Sequence, residues 1–291
     1  MLILDGRATA EAIKEEIAQA VEKRIASGKS RPHLAAILVG EDGASQTYVN
    51  AKVKACKRVG FESSLVSLPS SISEKELLDR VAELNEDVAI DGFIVQLPLP
   101  SHIDGQKVLE AIDPSKDVDG FHPVNVGRMV LGLPCFLPAT PYGILQLLER
   151  NGIKTTGKHC VVIGRSHIVG SPMSILLARN AEPGNCTVTL AHSRTSNLPS
   201  ITAQADIIIA AVGRPDFLTA DMVKPGAVIV DVGIHRVVDE TRKSGYRLKG
   251  DVAYDEVAAK VDAISPVPGG VGPMTIVSLL KNTLQAAAQR D

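Results

Sequence analysis

Cys160-Val161-Val162-Ile163-Gly164-Arg165-Ser166-His167-Ile168-Val169-Gly170 reads as a short apolar strand, a turn bounded by two glycines, and the start of a helix. Glycine lets the backbone come close to a pyrophosphate, and a helix start offers unpaired N–H groups with partial positive charge. This is the arrangement that cradles a dinucleotide, although the spacing is not G-x-G-x-x-G. A strand–helix turn with two glycines can equally be structural, so its surroundings decide. The next apolar run, 187–191, leads into Ala191-His192-Ser193-Arg194-Thr195. NAD sites place an Asp or Glu at that strand end for the ribose 2′-hydroxyl. No acid stands there. Ser193 and Arg194 suit a 2′-phosphate, and Arg165 adds charge from the neighbouring turn. NADP is therefore expected over NAD; the alternative is that Arg194 is a solvated loop residue.

The same alternation extends outward in both directions. Further apolar runs lie at 207–211, at 228–232 and near Ile264, with helical patterns starting near Val169, Leu198, Thr219 and Tyr254. Residues 236–249 are polar and hairpin-like, and 275–288 closes the chain as a helix. Upstream, Thr140-Pro141 supplies a cap and a proline for a helix that ends at Gly152. In the first third, Thr9 can cap a helix with Ile13, Ile17, Val21 and Ile25 on one face. Strands are expected at 34–39, 61–68 and 93–97. A helix opening at Ser45 stops near Gly60, and Ser73 with Glu76 forms a capping box for a helix through Leu84. Strand–helix order of this kind argues for mostly parallel sheets covered by helices. Residues 113–140 hold no sustained period and are rich in proline and glycine, which reads as a long functional crossover.

Composition narrows the function classes. The 291 residues suffice for two cores. Aromatics make up 3% and Trp is absent, so stacking platforms for single-stranded nucleic acid are unexpected. The net charge of −2 comes without a Lys/Arg block, which removes a phosphate-backbone footprint. Cys56, Cys135, Cys160 and Cys186 are widely spaced, so neither a metal site nor a disulfide framework is expected, and reduced thiols fit a cytoplasmic location. The first residues lack the apolar core of a signal peptide, and no apolar run approaches membrane-spanning length.

A second group of residues carries chemistry. Tyr48 and Lys52 stand at i and i+4, on one helix face. A tyrosine ring can stack on a flat substrate, and a desolvated lysine beside it loses its proton more readily and can act as a base. Alone, the pair is an ordinary surface contact. Gln96 follows an apolar strand and precedes Pro98-Leu99-Pro100, at the strand end where parallel sheets hold ligands. Asp117-Val118-Asp119-Gly120 opens the crossover and can be simple turn chemistry. Pro266-Val267-Pro268-Gly269-Gly270-Val271-Gly272-Pro273 is a stiff loop that either links or lines a flat ligand.

Five stretches taken together closely resemble the bifunctional methylenetetrahydrofolate dehydrogenase/cyclohydrolase family. They are Tyr48-Val49-Asn50-Ala51-Lys52-Val53-Lys54-Ala55-Cys56, Asp91-Gly92-Phe93-Ile94-Val95-Gln96-Leu97-Pro98-Leu99-Pro100, Lys116-Asp117-Val118-Asp119-Gly120-Phe121-His122, Gly164-Arg165-Ser166 with Ile168-Val169-Gly170, and 266–275. The resemblance spans nearly the whole chain. It implies that Lys52 is the catalytic lysine, that Tyr48 stacks on folate, that Gln96 supports Lys52, and that Asp119 holds the pterin. Val95, Leu97, Pro268, Gly269, Gly270, Val271, Gly272 and Pro273 would join them on the folate. Gly164, Arg165, Ser166, Ser193, Arg194 and Ile234 would bind NADP.

The implied fold is α/β. An N-terminal α/β folate-binding domain, 1–139, would be completed by the C-terminal helix 275–291. A Rossmann-type NADP-binding domain, 140–274, would face it across a cleft, and homodimers would form through that second domain. The implied activity is oxidation of 5,10-methylenetetrahydrofolate with NADP, then hydrolysis to 10-formyltetrahydrofolate. A monofunctional or NAD-dependent dehydrogenase and a non-catalytic folate- or nucleotide-binding paralogue are the alternatives. The chain departs from the family pattern at Ala139, at His167, at Ala253 and in a short insertion over 182–186. None of these touches Tyr48, Lys52, Gln96 or Asp119.

Overall fold

Short-range chemistry sets where each element starts. The structure is a computed structural model and describes residues 1–242 and 245–291. In chain order the first half forms β1 (Leu2–Ile3), α1 (Gly6–Ala26), β2 (His33–Val39), α2 (Gly43–Val59), β3 (Glu62–Leu68), α3 (Glu74–Glu86), β4 (Gly92–Val95), α4 (Gly105–Glu110) and α5 (Pro123–Val130). The second half forms α6 (Ala139–Arg150), β5 (His159–Ile163), α7 (Gly170–Ala178), β6 (Thr187–Ala191), α8 (Leu198–Thr202), β7 (Ile207–Ala210), β8 (Val228–Asp231), β9 (His235–Val238), β10 (Tyr246–Lys249), α9 (Tyr254–Ala258), β11 (Ala263–Ile264) and α10 (Val271–Arg290). A single 3₁₀ turn, Ala220–Met222, stands where a helix from Thr219 was expected.

Two helix starts differ from expectation for the same reason. Asp5, not Thr9, caps α1: its carboxylate accepts from the Ala8 N–H at 3.0 Å, and Thr9 lies inside the helix with its hydroxyl donating to the Asp5 carbonyl. Asp42, not Ser45, caps α2, accepting from the Ser45 N–H at 2.7 Å. A carboxylate both accepts the orphan N–H and meets the positive end of the helix dipole, which a hydroxyl does not. The capping box of α3 and the left-handed Gly60 ending α2 are both present.

The chain divides into two compact units, Glu11–Ala139 with Ile276–Asp291, and Met1–Ala10 with Thr140–Thr275. The first unit contains a parallel sheet in the order β3-β2-β4. Ala35, Ile37, Val39, Phe93 and Val95 pack with Leu77 and Val81 of α3 in one core, while Leu34, Ala36 and Leu38 are buried as well. A strand buried on both faces reads as the continuous apolar run seen in the sequence.

Residues 113–140 are more ordered than an aperiodic crossover suggests. The buried Asp117 carboxylate accepts from the N–H groups of Phe121 and His122 and from the Asn125 side chain. The His122 ring then caps α5. Asn282 of α10 donates to the carbonyls of Val118 and Leu137, tying both ends of the segment to the same helix. Gly120 has φ +73, and a Cβ there would lie 2.6 Å from the Leu137 carbonyl carbon. The chain can turn at Asp119 only because residue 120 is glycine.

The second unit contains a six-stranded parallel sheet, ordered β1-β11-β8-β7-β5-β6. One of its two edge strands, β1, comes from the start of the chain, whereas the sequence reading kept residues 1–139 together. Leu2 and Leu4 donate to the carbonyls of Asp262 and Ile264, pairings that local pattern cannot reveal. After β5 the chain goes to β6 on one side and returns to β7 on the other. That reversal is a topological switch point, and ligands of open α/β sheets bind at the strands' carboxyl ends there. β9 and β10 form an antiparallel hairpin; the middle of the expected 236–249 excursion, 243–244, lies outside the described residues.

Candidate active site

Helix α2 carries Tyr48, Lys52 and Cys56 at successive turns. The Lys52 Nζ donates to Gln96 Oε1 at 3.1 Å. Gln96 also donates its Nε2 to the Leu97 carbonyl at 2.7 Å, which fixes which end of the amide faces the lysine. Gln96 is placed by β4: its N–H still bonds to the Ile37 carbonyl of β2, one residue past the strand's end.

Asp119 lies within Coulombic reach of Lys52, so the structure brings Lys52, Gln96 and Asp119 together. Both charged side chains keep some accessible surface, yet protein surrounds them on nearly all sides. Burial therefore pulls the Lys52 ammonium below the usual lysine range, with Asp119 opposing the shift. Burial likewise pushes the Asp119 carboxyl up, with Lys52 opposing. Cys56, which the sequence reading left out, sits beside the lysine with its thiol pushed up to about 12 by burial, so it stays neutral there.

Not every expected residue presents its side chain. Val95 is 3% exposed and packed in the core of its unit, leaving only its backbone to meet a ligand. Pro268, Gly269 and Gly270 belong to the other unit, against the chain's start. The Arg7 N–H donates to the Gly269 carbonyl at 3.0 Å, and a Cβ on Gly6 would lie 1.8 Å from the Gly270 oxygen. Val271, Gly272 and Pro273 form the first turn of α10 rather than a loop, with Val271 buried.

In the second unit, Gly164 follows β5 with φ +114, and a Cβ there would lie 2.1 Å from the Ala211 carbonyl oxygen. Gly170 approaches equally closely: its Cβ would lie 2.0 Å from the Gly164 oxygen. Neither position has room for a side chain. Ser166 Oγ accepts from the N–H groups of Val169 and Gly170 at the start of α7. Arg165, Ser193 and Arg194 are exposed. A cavity of about 220 Å³ opens beside this turn, lined by Ser166 and Ile234 and by Ala211, Gly213, His235 and Asp251.

The last four escaped the sequence reading. Asp251 is fully buried and accepts from the N–H groups of Val212, Gly213 and Arg214 and from His235 Nε2 at 2.7 Å. Asp231 in turn accepts from the N–H groups of Gly233, Asp251 and Val252, and burial pushes its carboxyl up to about 7. The insertion over 182–186 lies elsewhere. Glu182 binds Thr155 and Thr156, and Gly157 bonds to Asn185, at the amino ends of β5 and β6. The nucleotide-type turn is at their carboxyl ends.

Residues 4–119 match the description "Tetrahydrofolate dehydrogenase/cyclohydrolase, catalytic domain", and residues 138–291 match "Tetrahydrofolate dehydrogenase/cyclohydrolase, NAD(P)-binding domain". The chain belongs to the tetrahydrofolate dehydrogenase/cyclohydrolase family. A family relative, "Bifunctional protein FolD" of Cytophaga hutchinsonii, is 69% identical over 288 residues, 99% of each chain. The Porphyromonas gingivalis protein of the same name is 61% identical over 98% of this chain and 96% of its own. Among solved family structures, the bifunctional dehydrogenase/cyclohydrolase of Campylobacter jejuni superposes with a TM-score of 0.93 at 46% identity, covering both chains fully. The Trypanosoma brucei enzyme, complexed with NADP cofactor and inhibitor, gives 0.93 at 39% identity, covering 99% of this chain and 98% of that one.

Proposed function

We propose that the chain oxidises 5,10-methylenetetrahydrofolate to the 5,10-methenyl compound with NADP, then hydrolyses that to 10-formyltetrahydrofolate. The observation that carries this reading is the half-buried Lys52, bound to Gln96 at 3.1 Å and faced by Asp119. The unit built on Glu11–Ala139 takes the folate, and the unit built on Thr140–Thr275 takes the nucleotide.

The nucleotide-binding residues fit NADP. Gly164 and Gly170 leave a bare backbone cradle beside the start of α7. β6 ends without a carboxylate, and Ser193 and Arg194 stand open for a 2′-phosphate. When bound, NADP supplies the hydride acceptor. Hydride loss leaves a cation shared by two nitrogens, which an ammonium alongside would oppose. Burial loosens the Lys52 proton, and Gln96 Oε1 holds the amine in place without adding charge. In the second step water bonds to the methenyl carbon, and neutral Lys52 takes the water's proton. The adduct collapses as its hydroxyl releases its proton to solvent and becomes the formyl C=O while the bond to N5 breaks, N5 taking back the proton held by Lys52. Tyr48, one turn before Lys52, stacks on the pterin, and Asp119 accepts from its N–H groups.

The test is a spectrophotometric assay with 5,10-methylenetetrahydrofolate and NADP or NAD in parallel. NADPH formation with little lasting methenyl absorbance is expected. Stoichiometric methenyl build-up would leave a monofunctional dehydrogenase, turnover with NAD alone would overturn the role given to Arg194, and no turnover would favour a binding paralogue.

The enzyme acts in the cytoplasm as a homodimer formed through the nucleotide-binding unit. β6 is an edge strand of the six-stranded sheet with Leu190 exposed, and long edges in native proteins are covered. Light scattering should return twice the chain mass of 30.8 kDa; a monomer removes this part. Among the described residues no helix is long and apolar enough to cross a membrane.

A further inference from the structure

His235 opens β9 and lines the cavity beside Ser166 and Ile234. Its Nε2 meets Asp251 at 2.7 Å. The Asp251 carboxylate already accepts three backbone N–H groups from 212–214, so all four of its bonds are donated to it and its position is fixed by the β7 turn. A carboxylate only accepts, so the ring carries its hydrogen on Nε2. The one ring nitrogen that can meet a ligand is then Nδ1, a hydrogen-bond acceptor in the neutral imidazole, and it has no partner among the described residues. The ring is half-buried, with a side-chain exposure of 21%.

The sheet order says which part of a dinucleotide lies there. The pyrophosphate belongs at the Gly164 turn after β5, and the adenosine with its 2′-phosphate belongs at the end of β6, where Ser193 and Arg194 stand. β7 and β8 lie on the opposite side of β5. The cavity over their ends, with His235, is therefore on the nicotinamide side. We propose that His235 binds the nicotinamide-ribose half of NADP, its Nδ1 accepting from a ribose hydroxyl or the carboxamide N–H₂ while Asp251 holds the ring. This rests on the nucleotide reading above. It makes His235 a binding residue and Asp251 its positioning residue.

Two side chains separate the nitrogens. Glutamine can place an amide N–H near the position of Nε2, keeping the tether to Asp251 and deleting Nδ1; asparagine does the reverse. The experiment titrates wild type, His235→Gln and His235→Asn with NADPH by fluorescence, and with adenosine 2′,5′-bisphosphate by calorimetry. His235→Gln should bind NADPH roughly three- to tenfold more weakly, the span of one lost hydrogen bond. Its affinity for adenosine 2′,5′-bisphosphate should match wild type, which also shows that the unit is folded. With ¹⁵N-histidine enzyme, NADP should move the His235 Nδ1 resonance and the bisphosphate should not. Equal NADPH affinity in wild type and His235→Gln, or an Nδ1 resonance unmoved by NADP, overturns the proposal while leaving the nucleotide reading intact. A wild-type protein that binds neither ligand overturns both.

Discussion

Lys52→Met is expected to lower the rate of methenyltetrahydrofolate hydrolysis by about 10²- to 10⁴-fold, the usual contribution of a positioned general base. Methionine is near lysine in length and tolerates a largely enclosed site, so the loss should be chemical rather than structural. The water would have no base, and Gln96 would lose the ammonium donor it now accepts from. In the wild type, hydrolysis should rise with pH and level off, because only the neutral amine takes a proton. The inflection should fall below the ordinary lysine value, since burial outweighs the attraction of Asp119. Stopped-flow decay of methenyl absorbance across pH checks both. Hydrolysis at wild-type rate in Lys52→Met would falsify the base assignment, and an inflection at the free-lysine value would remove the role of burial.

Much of this site was legible because its parts are local in sequence. Tyr48 and Lys52 share a helix face through simple i, i+4 spacing, and Gln96 is marked by a polar residue ending an apolar run. Their convergence with Asp119 was not legible from spacing; it depends on Asp117 and Gly120 folding the crossover and on Asn282 tying it to α10. The nucleotide side shows the same division. The Gly164 turn is contiguous and readable. The Asp231–Asp251–His235 arrangement joins carboxylates twenty residues apart across a hairpin, and no periodicity encodes it. Strand β1 was missed for a related reason: two residues cannot show a period, and its partner Ala263–Ile264 is near the other end of the chain. α5 was hidden because it is short and is capped by a histidine ring, a residue outside the usual capping set.

Gly164→Ala should be far more damaging than Gly213→Ala, and the two surroundings explain why. Both glycines have positive φ, +114 and +75. At Gly213 an added Cβ meets nothing within 4 Å, so only backbone strain remains. At Gly164 the Cβ would lie 2.1 Å from the Ala211 carbonyl oxygen, an atom held by the end of β7. Backbone cannot swing aside as a side chain can, so β5 and β7 must part at the switch point where the cradle is formed. Positive φ alone costs about 1–3 kcal/mol. With the clash added, Gly164→Ala should lose more than about 3 kcal/mol of unfolding free energy, against about 1 kcal/mol for Gly213→Ala. Urea denaturation reads the stability, and NADPH titration reads the cradle, which should bind at least tenfold more weakly in the Gly164 variant. Equal stability of the two variants would mean that the turn relaxes freely. The close approach of Gly164 to Ala211 would then not be what shapes the nucleotide site.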